Sequence, residues 1–266
     1  MSFRSETIDR LLESIGERAA EAQVTEVRIG SFWTCVAVML NGQPRGGLAS
    51  TLAGGHVGHH KGRMPVEGAG RLLERSVSEL ASLIRSDSLL ESSVGLATVN
   101  ALLDVDEREC VAVNAADVIA ERGRGGNVAV VGHFPFIERL RPSTANLWVL
   151  ELKPREGDLP ASRASDFLPE ADVVALTGIS LLNGTFDALV ADCRSDAFVI
   201  VLGATTPLSP VLFDVGVDAV AGTGFAGQTG QEVVARGEYE HVAAVVQGEG
   251  AQLVDRRHRA GDAAVV

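Results

Sequence analysis

The chain has 266 residues, 46 % of them apolar and 22 % charged, an ordinary globular composition with material for a large core. Its 35 acidic residues against 23 basic ones give a net charge of -12, which repels nucleic-acid backbones and anionic membrane surfaces and argues against either as a partner. No apolar run reaches the length of a membrane span, the first ten residues carry no basic-then-apolar leader, and the three scattered cysteines make no C-x-x-C pair, so the expectation is a soluble cytoplasmic protein.

In chain order, residues 5–22 place Ile8, Leu11, Leu12 and Ile15 at helical spacing among charged residues, which predicts a surface helix with one buried stripe. Residues 24–29 and 33–40 are β-rich, and Cys35 within them reads as a small buried hydrophobe, as does Cys193 further on. Asn41-Gly42 is a two-residue hairpin signal, and 46–52 makes the returning strand. Residues 53–70 hold six glycines and three histidines without periodicity and read as a long loop. Helical patterns resume at 72–84 and 89–103. Residues 1–90 are therefore expected to form a small α+β domain.

From about residue 91 strands and helices alternate. Strands are predicted at 128–131, 146–151, 172–176, 197–202 and 219–221, and helices at 135–141, 185–192 and 210–214. This pattern predicts a parallel, doubly wound α/β sheet over 91–255, followed by a disordered tail over 256–266. Gly132, Thr177-Gly178, Gly203-Ala204-Thr205-Thr206 and Gly222 all fall at strand ends, and ligands of open α/β sheets bind beyond the carboxyl ends of the strands.

The first of these ends is Gly132-His133-Phe134-Pro135. It has the turn glycine of a nucleotide site and a proline that suits a helix start, but His133 and Phe134 stand where a dinucleotide fingerprint has small residues. His133 reads as a ligand-contacting base or metal ligand, or else as a packed helix-start histidine. Glu151, 19 residues after Gly132, reads as an acid for a ribose hydroxyl or as a strand-end carboxylate paired with Lys153 or Arg155. Gly203–Thr206 offers backbone N–H groups and two hydroxyls to a carboxylate or phosphate, with Pro207 suited to a first helical turn. The other reading is a capped turn with Thr206 or Ser209 as N-cap. Thr177-Gly178 poses the same choice, and so does Asn183-Gly184-Thr185, where Thr185 is a natural N-cap and Asn183 is free to point at a ligand. His56, His59 and His60 are the densest imidazole cluster, either a transition-metal site or a solvated loop.

Taken together, residues 94–102 (VGLATVNAL), 131–135 (VGHFP), 151–154 (ELKP) with Gly157-Asp158, 172–178 (DVVALTG) with Asn183-Gly184-Thr185, and 203–210 (GATTPLSP) resemble the "putative heavy-metal chelation" family. The segment 27–51, with Gly30, Trp33-Thr34 and Gly46-Gly47, is similar to its N-terminal half. The resemblance covers most of 5–225. It implies a Rossmann-like domain preceded by an enolase-N-terminal-like α+β domain, a cleft between them, and matching positions at Gly132, His133, Glu151, Thr177, Asn183 and Thr205. It also implies a transition metal or metal chelate as the bound group; the motifs themselves identify no cofactor.

The reading that follows is a protein binding a small anionic or metal-chelating molecule between its domains. Gly132–Phe134 and Gly203–Thr206 form the floor, Glu151 and Asn183 are polar selectors, His133 is the metal or proton contact, and Thr177, Gly178 and Thr185 are further ligand-binding candidates. The alternative is a transferase or lyase acting on an adenosyl-type substrate, with Glu151 on the ribose and His133 as general base. A third reading stores metal on the His56–His60 loop. Strand edges and an apolar face are consistent with a homodimer.

Overall fold

The computed structural model describes residues 5–52, 66–105, 110–222 and 243–246. The His56, His59, His60 cluster, most of the glycine-rich loop and the 256–266 tail lie outside the described residues.

The chain opens with α1 (Glu6–Ser14), where the Ser5 hydroxyl accepts the Ile8 N–H and Ile8 and Leu11 are buried. The expected single helix over 5–22 is two, because the backbone breaks at Ile15 before α2 (Gly16–Glu21). Strands β1 (Gln23–Ile29), β2 (Trp33–Leu40) and β3 (Gln43–Ser50) form an antiparallel sheet in that order. Asn41 and Gly42 both take positive φ, so pairing resumes at once with Leu40 opposite Gln43. Polar Gln43, Pro44 and Arg45 hide those first paired positions from a hydrophobicity reading. A capping box between Ser76 and Glu79 starts α3 (Val77–Ser82), and Ser88 caps α4 (Leu89–Leu102).

Helix α4 is the piece that joins the molecule. Residues 92–99 are all buried, which small side chains permit on every side. A Cβ on Gly95 would lie 2.0 Å from the Ile84 nitrogen, and one on Gly47 of β3 would lie 2.0 Å from the Ala97 carbonyl oxygen. The helix thus touches backbone on two sides.

The second half runs β4 (Cys110–Ala112), α5 (Ala115–Arg122), β5 (Asn127–Val131), α6 (Ile137–Leu140), β6 (Asn146–Glu151), β7 (Leu159–Pro160), α7 (Ala164–Phe167), β8 (Val173–Thr177), α8 (Ile179–Leu182), α9 (Phe186–Asp192), β9 (Phe198–Leu202), α10 (Val211–Asp214), β10 (Ala219–Gly222) and β11 (Ala243–Val246). Eight strands pair in the order β4-β11-β10-β9-β8-β5-β6-β7; those from β10 to β7 are parallel and β11 is antiparallel to both its neighbours. The fold is α/β, a Rossmann-like sheet beside a small α+β unit.

Both faces of the parallel sheet are covered, and the strands alternate between them. Val128, Val130, Val149, Val173, Ala175, Phe198 and Ile200 pack under α5 and α6. Ala129, Val131, Leu150, Val174, Leu176, Val199 and Val201 belong instead to one continuous core with Ile8, Leu11, Val36, Leu80, Leu96 and Val99 of the N-terminal half. The two halves share a hydrophobic core and do not merely abut.

Candidate functional site at the strand ends

β5 has its chain successor β6 on one side and β8 on the other, so the strand order reverses between β5 and β8, the position where open α/β sheets leave a crevice. Gly132 (φ +105°) ends β5 and Gly203 (φ +109°) ends β9, conformations that glycine adopts without strain. A Cβ at Gly132 would stand 3.1 Å from Thr177 Cβ and 3.4 Å from Phe134 Cε2; one at Gly203 would stand 4.0 Å from Phe134 Cε1. One aromatic ring therefore reaches from the end of β5 to the end of β9, braced by a stack on Phe136 at 5.2 Å.

On the β6 side the polar groups converge on His133. Its backbone N–H donates to Glu151 Oε1 at 2.9 Å, and the other Glu151 oxygen accepts the Leu152 N–H at 2.8 Å. Glu151 is thus held by main chain, not by Lys153 or Arg155. His133 Nδ1 lies 3.2 Å from Asp158 Oδ2, and that same oxygen accepts the Arg155 N–H at 3.0 Å. The Asp158 side chain is 2 % exposed and that of His133 is 26 % exposed, so a buried carboxylate holds a ring that reaches solvent.

On the β8 and β9 side the residues face the N-terminal half. Thr205 and Thr206 are both buried. Thr205 Oγ1 accepts the Ser50 N–H at 3.0 Å and shares a hydrogen bond with Ser50 Oγ at 2.9 Å. Asn100 Nδ2 donates to the Leu48 and Thr205 carbonyls at 2.9 and 3.2 Å. Ala204 packs against Cys35 and Leu48, and burial pushes the Cys35 thiol up from its ordinary range. A Cβ on Gly178 would sit 2.6 Å from Thr206 Oγ1, so the β8 end and the 203–206 turn are in direct contact.

Gly132, His133, Phe134, Glu151, Thr177, Gly178 and Gly203–Thr206 therefore line one sheet edge. Asn183 and Thr185 stand past α8, where Asn183 Oδ1 accepts both the N–H and the hydroxyl of Thr185 at 3.2 and 2.7 Å. Thr185 occupies the N-cap position of α9 but its hydroxyl turns back to Asn183 and caps nothing. Two further expectations are corrected. The helix after His133 starts at Ile137 and is a single turn, and α10 starts at Val211, leaving Pro207 outside it. Neither short helix offers the anion-binding N-terminus that the prolines suggested.

Sequence reasoning gave no role to Asp158, Ser50 or Asn100, although Gly157-Asp158 and the run 94–102 stood among the motifs that carry the family resemblance. A signal existed for two of them. Asp158 follows a glycine in a polar turn, and Asn100 is the one amide in the apolar run 94–102. Among the described residues no group of three or more His, Cys, Asp or Glu side chains could hold a metal ion, and no helix is long and apolar enough to cross a membrane.

Comparison with known proteins agrees with this architecture. An uncharacterized protein of Methanocaldococcus jannaschii is 26 % identical over 232 residues, covering 84 % of this chain and 87 % of its own. A crystal structure from Desulfitobacterium hafniense, titled as a DUF364 protein with unknown function, superposes with a TM-score of 0.74 at 24 % identity, over 91 % of this chain and 98 % of the other. A second DUF364 protein with unknown function, from Pyrococcus horikoshii, gives 0.75 at 19 % identity over 90 % and 99 %. The DUF4213 model, described as "Putative heavy-metal chelation", matches residues 12–103. With the DUF364 model of the same description matching residues 114–257, more than half of the sequence, the chain belongs to that family.

Proposed function

We propose that this protein binds a small anionic metal chelate at the carboxyl edge of its parallel sheet, between the two halves of the chain, with His133 as the side chain that meets the metal. The observation that carries this reading is the buried Asp158 carboxylate 3.2 Å from His133 Nδ1. A carboxylate there keeps the ring proton on Nδ1 and leaves the Nε2 lone pair for an electrophile, the arrangement seen behind metal-binding histidines.

The donor set favours a chelate over a bare ion. Both Glu151 oxygens and the bonded Asp158 oxygen are engaged by backbone N–H groups, so the described residues contribute one open imidazole. One imidazole is too little for a four-coordinate site but suits a metal that arrives with its own chelator and an open coordination position. The family description supports metal-related binding and names no ligand.

The test is calorimetric titration of untagged protein with nickel nitrilotriacetate, which keeps free coordination positions. His133→Ala is expected to weaken binding at least tenfold, while the triple His56, His59, His60→Ala variant binds as the wild type does. Binding lost in the triple variant and kept in His133→Ala would move the metal to the loop and end the edge reading.

A further inference from the structure

We propose that the amino edge of the parallel sheet, opposite the His133 edge, carries a second small-molecule site, a cavity that takes a phosphate group through Arg122 and Arg124. It lies on a different part of the fold from the metal-chelate site and stands independently of that reading.

The cavity forms where three connections meet. The chain leaves α5 at Arg122, passes through Arg124, Gly125 and Gly126, and enters β5 at Asn127. β8 and β9, the next strands in the sheet, begin at Val173 and Phe198. Because the three strands are parallel, the segments that precede them come together at one edge. They enclose an open cavity of about 460 Å³ whose lining includes Arg122, Arg124 and Arg194 with Gly125, Asp172 and Phe198.

Three guanidinium groups around one cavity repel one another unless negative charge meets them, and the chain supplies only part of it. Asp172 is the one acid of the lining. Its Oδ1 accepts from Arg194 Nη2 at 2.7 Å and its Oδ2 accepts the Asn127 N–H at 2.7 Å. Arg194 Nε also stands 2.7 Å from Asp196 Oδ1, so Arg194 is matched within the chain. Arg122 lies over the Phe198 ring, 5.1 Å from its centroid, and a ring face holds a cation without neutralising it. The last turn of α5 also suits a cation, which accounts for Arg122 but not for Arg124 two residues beyond it. Arg124 is exposed, and among the described residues no ion pair engages its guanidinium. The adjacent backbone donors are occupied, Gly125 N–H by the Ser143 carbonyl at 2.7 Å and Gly126 N–H by the Gly123 carbonyl at 3.1 Å.

Even with Asp196 counted, guanidinium groups outnumber carboxylates around the cavity. The complement of charged N–H donors is an oxyanion. One guanidinium fork fills both oxygens of a carboxylate, whereas the three terminal oxygens of a phosphate group can meet Arg122 and Arg124 together.

The probes are inorganic phosphate and acetate, titrated into the full chain at low ionic strength and followed by calorimetry and, for phosphate, by phosphorus NMR. Wild type is expected to bind phosphate about tenfold more tightly than acetate. Arg124→Gln should weaken phosphate about tenfold at an unchanged melting temperature, and Arg124→Lys, which keeps the charge and loses the fork, should fall between the two. Arg139→Gln removes an arginine already paired with Asp117 and should bind phosphate as the wild type does, which separates the site from general attraction to positive charge. His133→Ala should also leave phosphate binding unchanged. The proposal is overturned if neither method detects phosphate binding, if acetate binds as tightly, or if binding survives Arg124→Gln. An equal loss in Arg139→Gln would overturn it too, and a loss in His133→Ala would place the anion at the opposite edge.

Discussion

Gly47→Ala tests whether the joint between α4 and the antiparallel sheet is the close backbone contact described above. The added Cβ would sit 2.0 Å from the Ala97 oxygen, 2.3 Å from the Ala101 nitrogen and 2.9 Å from the Asn100 carbonyl carbon. Ordinary contact begins near 3.4 Å, so helix and strand must separate by about 1.4 Å, and no side-chain rotation relieves the clash because every opposing atom is backbone. Overpacking of this kind costs about 3 kcal/mol, at the upper end of the usual range. For a chain of this size that lowers the melting temperature by about 6–12 °C. Thermal unfolding followed by circular dichroism would measure it, with Gly16→Ala as control, since a Cβ there meets nothing within 4 Å. If Gly47→Ala melts within about 1 °C of the wild type, the helix does not lie on the strand as described. The account of how Asn100 is held would fall with it, since its partner Leu48 is the next residue on β3.

Other perturbations follow from single contacts. Thr205→Val removes the acceptor of the Ser50 N–H and leaves that donor in a buried seam, which should cost about 1–3 kcal/mol in urea unfolding; an unshifted midpoint would show that the two halves do not depend on this bond. Asp158→Asn preserves shape but removes the charge behind His133, and nickel nitrilotriacetate affinity should fall about tenfold at unchanged melting temperature. Equal affinity would deny the carboxylate any positioning role. Burial, with smaller help from Asp192 and Asp218, pushes the Cys193 thiol up from 9.0 to about 12. The folded thiol then keeps its proton while the unfolded chain releases its own, so this contribution is intact below pH 9 and is lost as pH rises toward 12. Cys193→Ala should flatten the fall of melting temperature over that window, and parallel curves would contradict the assignment.

Strands β5, β8, β9 and β10 were legible because each is buried on both faces and so reads as a continuous apolar run, as in 128–131 and 198–202. The elements that escaped carry no such signature. β7 spans two residues and its Pro160 cannot donate to a ladder, and β4 and β11 are three and four residues long. α8 is a single turn too short to establish a period. The break between α1 and α2 was invisible for the opposite reason: the apolar stripe continues through Ile15 to Ala19 although the helix does not.

The strand-end positions were legible too, but not the partners of their side chains, and the reason lies in what a hydroxyl or carboxylate at a strand end can bond. Thr205 and Thr206 have the composition of an anion cradle whether they face a ligand or another part of the chain, and local spacing does not distinguish the two. Tertiary contact decides: Thr205 is taken by Ser50, 155 residues away in sequence, while the Thr206 hydroxyl is buried and unbonded. Glu151 shows the same ambiguity resolved differently, since its ribose-like spacing places it where the His133 N–H needs an acceptor. The part of this edge that reaches solvent is therefore narrower than the motif residues suggest. Of the two ends of this edge, the His133 side chain reaches solvent, whereas Thr205 and Thr206 are buried against the N-terminal half.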